Sequence, residues 1–285
     1  MRSKAIQDFA HLSDDALFAE VEAGATLCTT NAKRIHEDSR ALVDLKRIAG
    51  AEILRLAAQE EASKVLILLD AVRCPRATRS SEFGRQLQYF NRHLPKGIYS
   101  QYCGLHPASF GEVRRWVDLE RKDLYLDGPN GVDWIFYNDI LRRREETIYV
   151  DYVANDDGAH YWHDPRRGDD FALSLAGLGS RADPVLRLVS ALSDAGCFDA
   201  GALQVIADIW RVQQIDDDWS WHALRDINSK TLEEMKVGGL LKTQDQNVCS
   251  EIVNEWLFPL YGLDLGEDKV NKDDLREVQR NWWPD

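Results

Sequence analysis

Long hydrophobic runs are missing from this 285-residue chain. The longest unbroken apolar stretch is Val65–Leu69, far short of the ~20 residues a membrane-spanning helix needs. The opening MRSKAIQDFAHLSDD lacks the apolar core of a secretory leader. Together these absences lead us to expect a cytoplasmic protein with no membrane contact. Cysteine is sparse and scattered. Cys28, Cys74, Cys103, Cys197 and Cys249 form no CxxC pair and are odd in number, so reduced thiols are expected rather than a disulfide frame or a zinc site. The HxxH at His160 and His163 has no further ligands nearby and reads as a loop with aromatic packing. There is no P-loop, GxSxG, HExxH or dinucleotide fingerprint, and no cofactor or metal is expected. Internal repeats and low-complexity segments are absent as well.

Net positive charge is also lacking. The chain carries a formal charge of −13, which argues against a protein that simply coats nucleic acid. The distribution is uneven, however. Arg73, Arg76, Arg79, Arg85, Arg92 and Lys96 face a single acid, Glu82, over residues 73–96, a local excess of +5.

What the sequence does have is helical periodicity. Ser13 is a good N-cap, with Asp14 and Asp15 placed to suit the helix dipole. Leu17, Val21, Ala25, Cys28, Ala32 and Ile35 trace one face of a long first helix running to about His36, with a turn expected at Glu37–Arg40. A second long helix ends near Val72, where Cys74-Pro75 closes it. Two of its stripes are Ile53, Ala57, Glu60, Lys64, Ile67, Ala71 and Leu54, Ala58, Glu61, Val65, Leu68, Val72. Both are apolar except for Glu60, Glu61 and Lys64. Charges inside an apolar stripe need partners. One reading is a local salt bridge, since Glu60 and Lys64 stand at i, i+4. The other is an orienting cluster for side chains of the next helix.

That next helix is expected over roughly residues 81–94, with Phe83, Leu87, Phe90 and Leu94 facing inward and Pro95 ending it. Further helices are expected at about 109–124 and 132–146, separated by a DGPNG turn at 127–131. Residues 147–153, TIYVDYV, give the one clear strand signal, and a turn at 155–158 follows. Asp183-Pro184 opens another helix, Gly196 closes it, and helices follow at about 200–214, 219–228 and 246–260. Two tryptophans near the end, Trp282 and Trp283, are expected to dock on the body or a partner.

His93 is the histidine with the most informative surroundings. Arg85, Arg92 and Lys96 favour its neutral ring, which can serve as a base. A histidine and an arginine suffice for metal-free RNA cleavage: the ring assists proton transfer around the 2′-hydroxyl or the leaving oxygen, and the guanidinium stabilises the phosphorus oxygens. A surface or capping role is the plain alternative. Arg142, Arg143 and Arg144, followed by Glu145 and Glu146, read as a solvated helix end.

Several short motifs occur in a telling order: AAQEEASK at 57–64, RHLPK at 92–96, IYVDY at 148–152, WHDP at 162–165 and GCFD-x3-LQVIADIWR at 196–211. In this order they resemble the AbiV abortive-infection proteins, a branch of the HEPN superfamily, over roughly residues 14–215. The resemblance implies a mainly α, HEPN-like bundle of long helices with a short β element near 147–153. A helical domain over 1–170 would carry a C-terminal helical extension over 171–285 packed on it. It further implies an anti-phage effector, RNA as substrate, a homodimer, and a phage-encoded activator or an antitoxin as controlling partner. On this basis His93, Arg85 and Arg92 are the candidate catalytic residues, and Glu60, Glu61 and Lys64 the orienting set. Arg73, Arg76, Arg79 and Lys96 are the candidate phosphate contacts. The superfamily's usual signature is an arginine, four to six residues, then a histidine. Here seven residues separate Arg85 from His93, which leaves Arg92 or an arginine of a second copy as a stand-in. The alternative function is a non-catalytic helical module that blocks translation or a phage protein by stoichiometric binding.

Overall fold

The hydroxyl of Ser13 accepts a hydrogen bond from the Ala16 N–H at 3.3 Å and starts α1, which spans Asp14–Asp44. The computed structural model describes residues 5–126, 134–154, 160–165 and 183–282. Helix α1 does not break at 37–40 as the sequence suggested. Ser39 is buried there and donates to the Ala51 carbonyl at 2.7 Å. The turn falls at residues 45–47, where Lys46 takes a positive φ of 57°.

Helix α2, Ile48–Arg73, folds back along α1 and ends at Cys74 as expected. From Val65 to Arg73 every residue of α2 is buried. A helix buried all round is wrapped by neighbours, and α2 is the axis of the molecule.

The expected third helix is two. Helix α3 covers Ser80–Tyr89 and α4 covers His93–Tyr102, with a turn between them. Pro95 stops nothing. It sits in the first turn of α4, where its missing N–H would have had no intrahelical acceptor anyway. Helix α5 spans Phe110–Glu120 and leads into β1, Leu124–Leu126. Strand β2, Ile135–Tyr137, pairs with it antiparallel, with Tyr125 opposite Phe136. The helix expected over 132–146 therefore starts later, as α6 over Asp139–Ile148. Asn138 is the reason: its side-chain oxygen caps Leu141 N at 3.1 Å, and its amide reaches the carbonyls of Glu120 and Lys122 at 2.7 and 2.8 Å.

Strands β3, Asp151–Ala154, and β4, His160–His163, form a second hairpin with Tyr152 opposite Trp162. The strand signal at 147–153 thus covers β3 but begins inside α6. The HxxH lies on a strand rather than a loop. The turns expected at 127–131 and 155–158 fall outside the described residues, as does Trp283. The 1–170/171–285 boundary also falls in a stretch that is not described.

Helices α7 (Pro184–Asp194), α8 (Ala200–Trp210), α9 (Trp221–Val237) and α10 (Gln246–Glu255) follow, and α11 covers Lys272–Trp282. Gly196, with φ of +81°, follows α7 as its turn requires. One hydrophobic core draws on α1 to α10 together with residues 256–265. The architecture is mainly helical, with two small two-stranded sheets among the described residues. Among those residues no helix is long and apolar enough to cross a membrane.

Candidate functional site

Half-buried Glu60, near the middle of α2, is where His93, Lys96 and Arg144 converge. His93 Nδ1 lies 2.9 Å from both of its carboxylate oxygens. Lys96 Nζ donates to Oε2 at 2.6 Å, and Arg144 Nε approaches Oε1 at 3.3 Å. His93 is the first residue of α4, and Lys96 follows one turn along. The break between α3 and α4 is what turns this start of α4 toward α2. Burial works against ionising Glu60, yet the bonds from Lys96 and His93 prevail and hold its carboxyl below the usual range.

Arg144 comes from α6. The one buried residue of that helix is Ile140, and Arg144 stands four residues on, hence on the same face. Gly97 of α4 makes the approach possible. A Cβ there would fall well inside the contact distance of Ile140 Cγ2, with Ile140 Cβ at 3.5 Å. The result is a cavity of about 110 Å³ lined by Gln59, Glu60, His93, Ser100, Arg143 and Arg144, with an apolar wall from Leu56 and Ile140. A second ionic cluster borders it: Arg143 and Arg55 both bind Glu52, at 3.2 and 2.5 Å, and Arg55 reaches Asp183 at 3.2 Å.

Chemically, a carboxylate accepting from Nδ1–H leaves Nε2 as the basic nitrogen. His93 is 47% exposed on its side chain, so the ring is reachable. Two guanidinium groups share the cavity. The set suits proton transfer beside an oxyanion.

The remaining sequence-based candidates are placed differently. Arg85 does not line this cavity. It directs Nη2 to the Tyr261 carbonyl at 3.5 Å. Arg92 lies in the α3–α4 turn and reaches back to Gln88 at 3.4 Å. The turn puts Arg85 on a different helix from His93, and neither Arg85 nor Arg92 lines the cavity. Glu61 pairs with Lys64 at 2.7 Å, and Lys64 lies over the Phe90 ring at 5.2 Å. The neighbour that touches the His93 ring is a carboxylate, not the cations expected.

Arg73 is a correction. Its side chain is 2% exposed and cannot meet a phosphate. It pairs with fully buried Asp70, donates to the Leu257 carbonyl at 2.9 Å and lies between the rings of Trp210 and Trp256, 4.6 and 4.9 Å from their centroids. Lys96 is likewise buried, and its ammonium is taken up by Glu60. Arg76 bonds the Leu12 carbonyl at 2.8 Å and pairs with Asp14 at 2.9 Å. Arg79 is exposed and lies beside Gly262. The basic excess of residues 73–96 is thus spent largely on the molecule itself, much of it along residues 257–266.

Arg143 and Arg144 were missed because three consecutive arginines read as a solvated helix end. The signal was Ile140, whose i, i+4 partner is Arg144.

The other reactive side chains lead elsewhere. Burial pushes the thiols of Cys28, Cys74 and Cys197 up to about 12, which leaves them poor nucleophiles at neutral pH. His160 and His163 project to opposite faces of β4, and His163 Nε2 meets the Glu146 carbonyl at 2.9 Å. Among the described residues no group of three or more His, Cys, Asp or Glu could hold a metal ion.

Comparison with known proteins gives one positive finding. The family model described as AbiV, of the HEPN superfamily, matches residues 20–172, more than half of the chain. No curated protein and no solved structure matches. The matched span contains Glu60, His93, Lys96 and Arg144. This chain therefore belongs to the AbiV family of the HEPN superfamily.

Proposed function

We propose that this protein is an abortive-infection effector that cleaves RNA without a metal ion. The observation that carries the reading is the shared carboxylate of Glu60, which touches His93 and Arg144 at the mouth of one cavity. His93 is the general base and acid, Glu60 its positioning residue, and Arg144, with Arg143, the phosphate stabiliser. Nε2 of His93 takes the proton of a ribose 2′-hydroxyl as O2′ attacks the adjacent phosphorus. The P–O5′ bond breaks, and the imidazolium returns the proton to the departing 5′ oxygen. The products are a 2′,3′-cyclic phosphate and a free 5′-hydroxyl. The 2′-hydroxyl is the nucleophile, so DNA is not a substrate. A second copy of the chain and a phage-encoded activator or antitoxin complete the partners of this reading.

The test is incubation of total RNA with the purified protein in EDTA, alone and with extract from phage-infected cells, beside His93→Ala and Arg144→Ala. Cyclic-phosphate ends that appear with wild type and vanish in both variants support the enzyme. Growth arrest by wild type with intact RNA in both settings defeats it and favours stoichiometric binding.

A further inference from the structure

The β3–β4 hairpin carries exposed rings that the cavity chemistry does not use. Tyr152 is 60% exposed and Trp162 62%. They are cross-strand partners, with ring centroids 5.1 Å apart. On the other side of Tyr152, His160 stacks at 5.8 Å with its plane only 23° away. Residues i and i+2 of a strand share a face, so His160 and Trp162 flank Tyr152 on one side of the hairpin. That face carries a row of three aromatic rings. The hairpin is fastened to α6 by His163, which meets the Glu146 carbonyl two residues from Arg144. The aromatic row therefore stands at the end of the helix that carries Arg143 and Arg144 into the cavity.

We infer that the His160–Tyr152–Trp162 face stacks unpaired bases of an RNA strand whose backbone enters the His93 cavity. This makes single-stranded RNA the substrate class and rests on the RNA-cleavage reading above. Flat rings in a row match base faces, and stacking on them is sequence-tolerant. Area argues the same way. Three partly exposed rings offer roughly 300–400 Å², about half of the ~800 Å² that each partner gives a stable protein interface. That footprint fits one or two bases. The cavity supplies the backbone contact: Arg143 and Arg144 line it, held by Glu52 and Glu60, so a phosphate meets their remaining N–H groups while the neighbouring bases meet the rings.

The test uses the full chain and a short fluorescent oligoribonucleotide carrying 2′-O-methyl groups, which cannot be cleaved. Companion probes are the same strand with abasic positions and the same sequence as a duplex. Tyr152→Ala and Trp162→Ala should each weaken single-strand binding about five- to 150-fold, and Trp162→Phe should restore most of it. The abasic strand and the duplex should bind wild type weakly and be indifferent to these substitutions. Equal binding of intact and abasic strands, or alanine variants that bind like wild type, overturns the inference. So does a double variant that turns a dimer into a monomer by light scattering without losing RNA affinity, because the face would then join two copies. The two readings separate cleanly. Cleavage of total RNA that survives both alanine variants sinks only the stacking face. Base-dependent binding without cleavage sinks only the nuclease. If wild type neither cleaves RNA nor binds the methylated strand, both fall.

Discussion

Replacing Gly97 with alanine tests whether the packing of α4 against α6 sets the geometry of the cavity. The new methyl would overlap Ile140 Cγ2, whose own Cβ is 3.5 Å from the added carbon. Cγ2 branches directly from the Cβ of a buried, β-branched residue in a helix, so it has little freedom to swing clear. Relief requires α6 to move away by roughly 1 Å, at a cost of about 1–3 kcal/mol in stability. The same displacement carries Arg144, one turn along, away from Glu60 and His93. A shift of about 1 Å in a catalytic group can cost on the order of 100-fold in rate. The expected result is a lower Tm together with loss of most RNA cleavage. Adding Ile140→Ala removes the opposing methyl and should recover activity while leaving stability low, because the buried side chain is lost. That split separates repositioning of Arg144 from simple blockage of the cavity by the methyl, which the second substitution would not relieve. Native activity and native Tm in Gly97→Ala would refute the reasoning.

Three further outcomes are expected. Asp70→Asn leaves the Arg73 charge buried without a counter-ion and should cost about 3–5 kcal/mol in urea unfolding, a large part of the 5–15 kcal/mol typical of domains. Asp70→Leu combined with Arg73→Met removes the unpaired charge but leaves the Leu260 N–H and the Tyr99 hydroxyl without their acceptor, so it should recover only part of that loss, and a pair that stays as unstable as the single variant would contradict this account. Asp14, Glu52 and Glu60 each have folded carboxyl values held below their unfolded values of 3.8, 4.5 and 4.5. In that window the unfolded chain binds protons that the folded chain does not, so stability is complete above about pH 5 and falls as pH drops through the folded values. Thermal melts across pH should show this acid limb, and it should shrink in Glu60→Gln. Lastly, Arg144→Ala should remove cleavage while Arg85→Ala leaves it largely intact. The reverse order in a gel assay would return the phosphate role to the residue that the sequence spacing favoured.

Much of the fold was legible because it rests on local rules. The stripes of α2, the Cys74-Pro75 stop, the Ser13 cap and the Gly196 end are each set by neighbours in sequence. Local rules also explain the misses. Pro95 was read as a stop, although proline fits a first turn equally well, and this error joined α3 to α4. Asn138 was passed over as a cap, so β2 was read as helix. In the candidate site, Glu60, His93 and Lys96 drew notice because charge on apolar stripes is conspicuous. Arg144 did not, since its place at Glu60 depends on a pairing between helices 84 residues apart. The +5 of residues 73–96 was summed as if all six cations faced the solvent. Asp70, three residues before Arg73 at the end of an apolar run, was the sign that one of them had an internal partner.

The pairing of Asp70 with residues much later in the chain also dictates an order of events during synthesis. Asp70 accepts from the Leu260 N–H at 2.6 Å and Arg73 donates to the Leu257 carbonyl at 2.9 Å, across 190 and 184 residues. When α2 leaves the ribosome its central ion pair has neither partner, and the tryptophan at 256 that covers Arg73 has not been made. The helices that build the cavity can form early, but the axis they pack on stays incompletely covered until translation passes residue 260. A protein built this way completes the cover of α2 only after residue 260 has been made. A chain released before residue 256 would leave the Asp70–Arg73 pair and the apolar end of α2 uncovered.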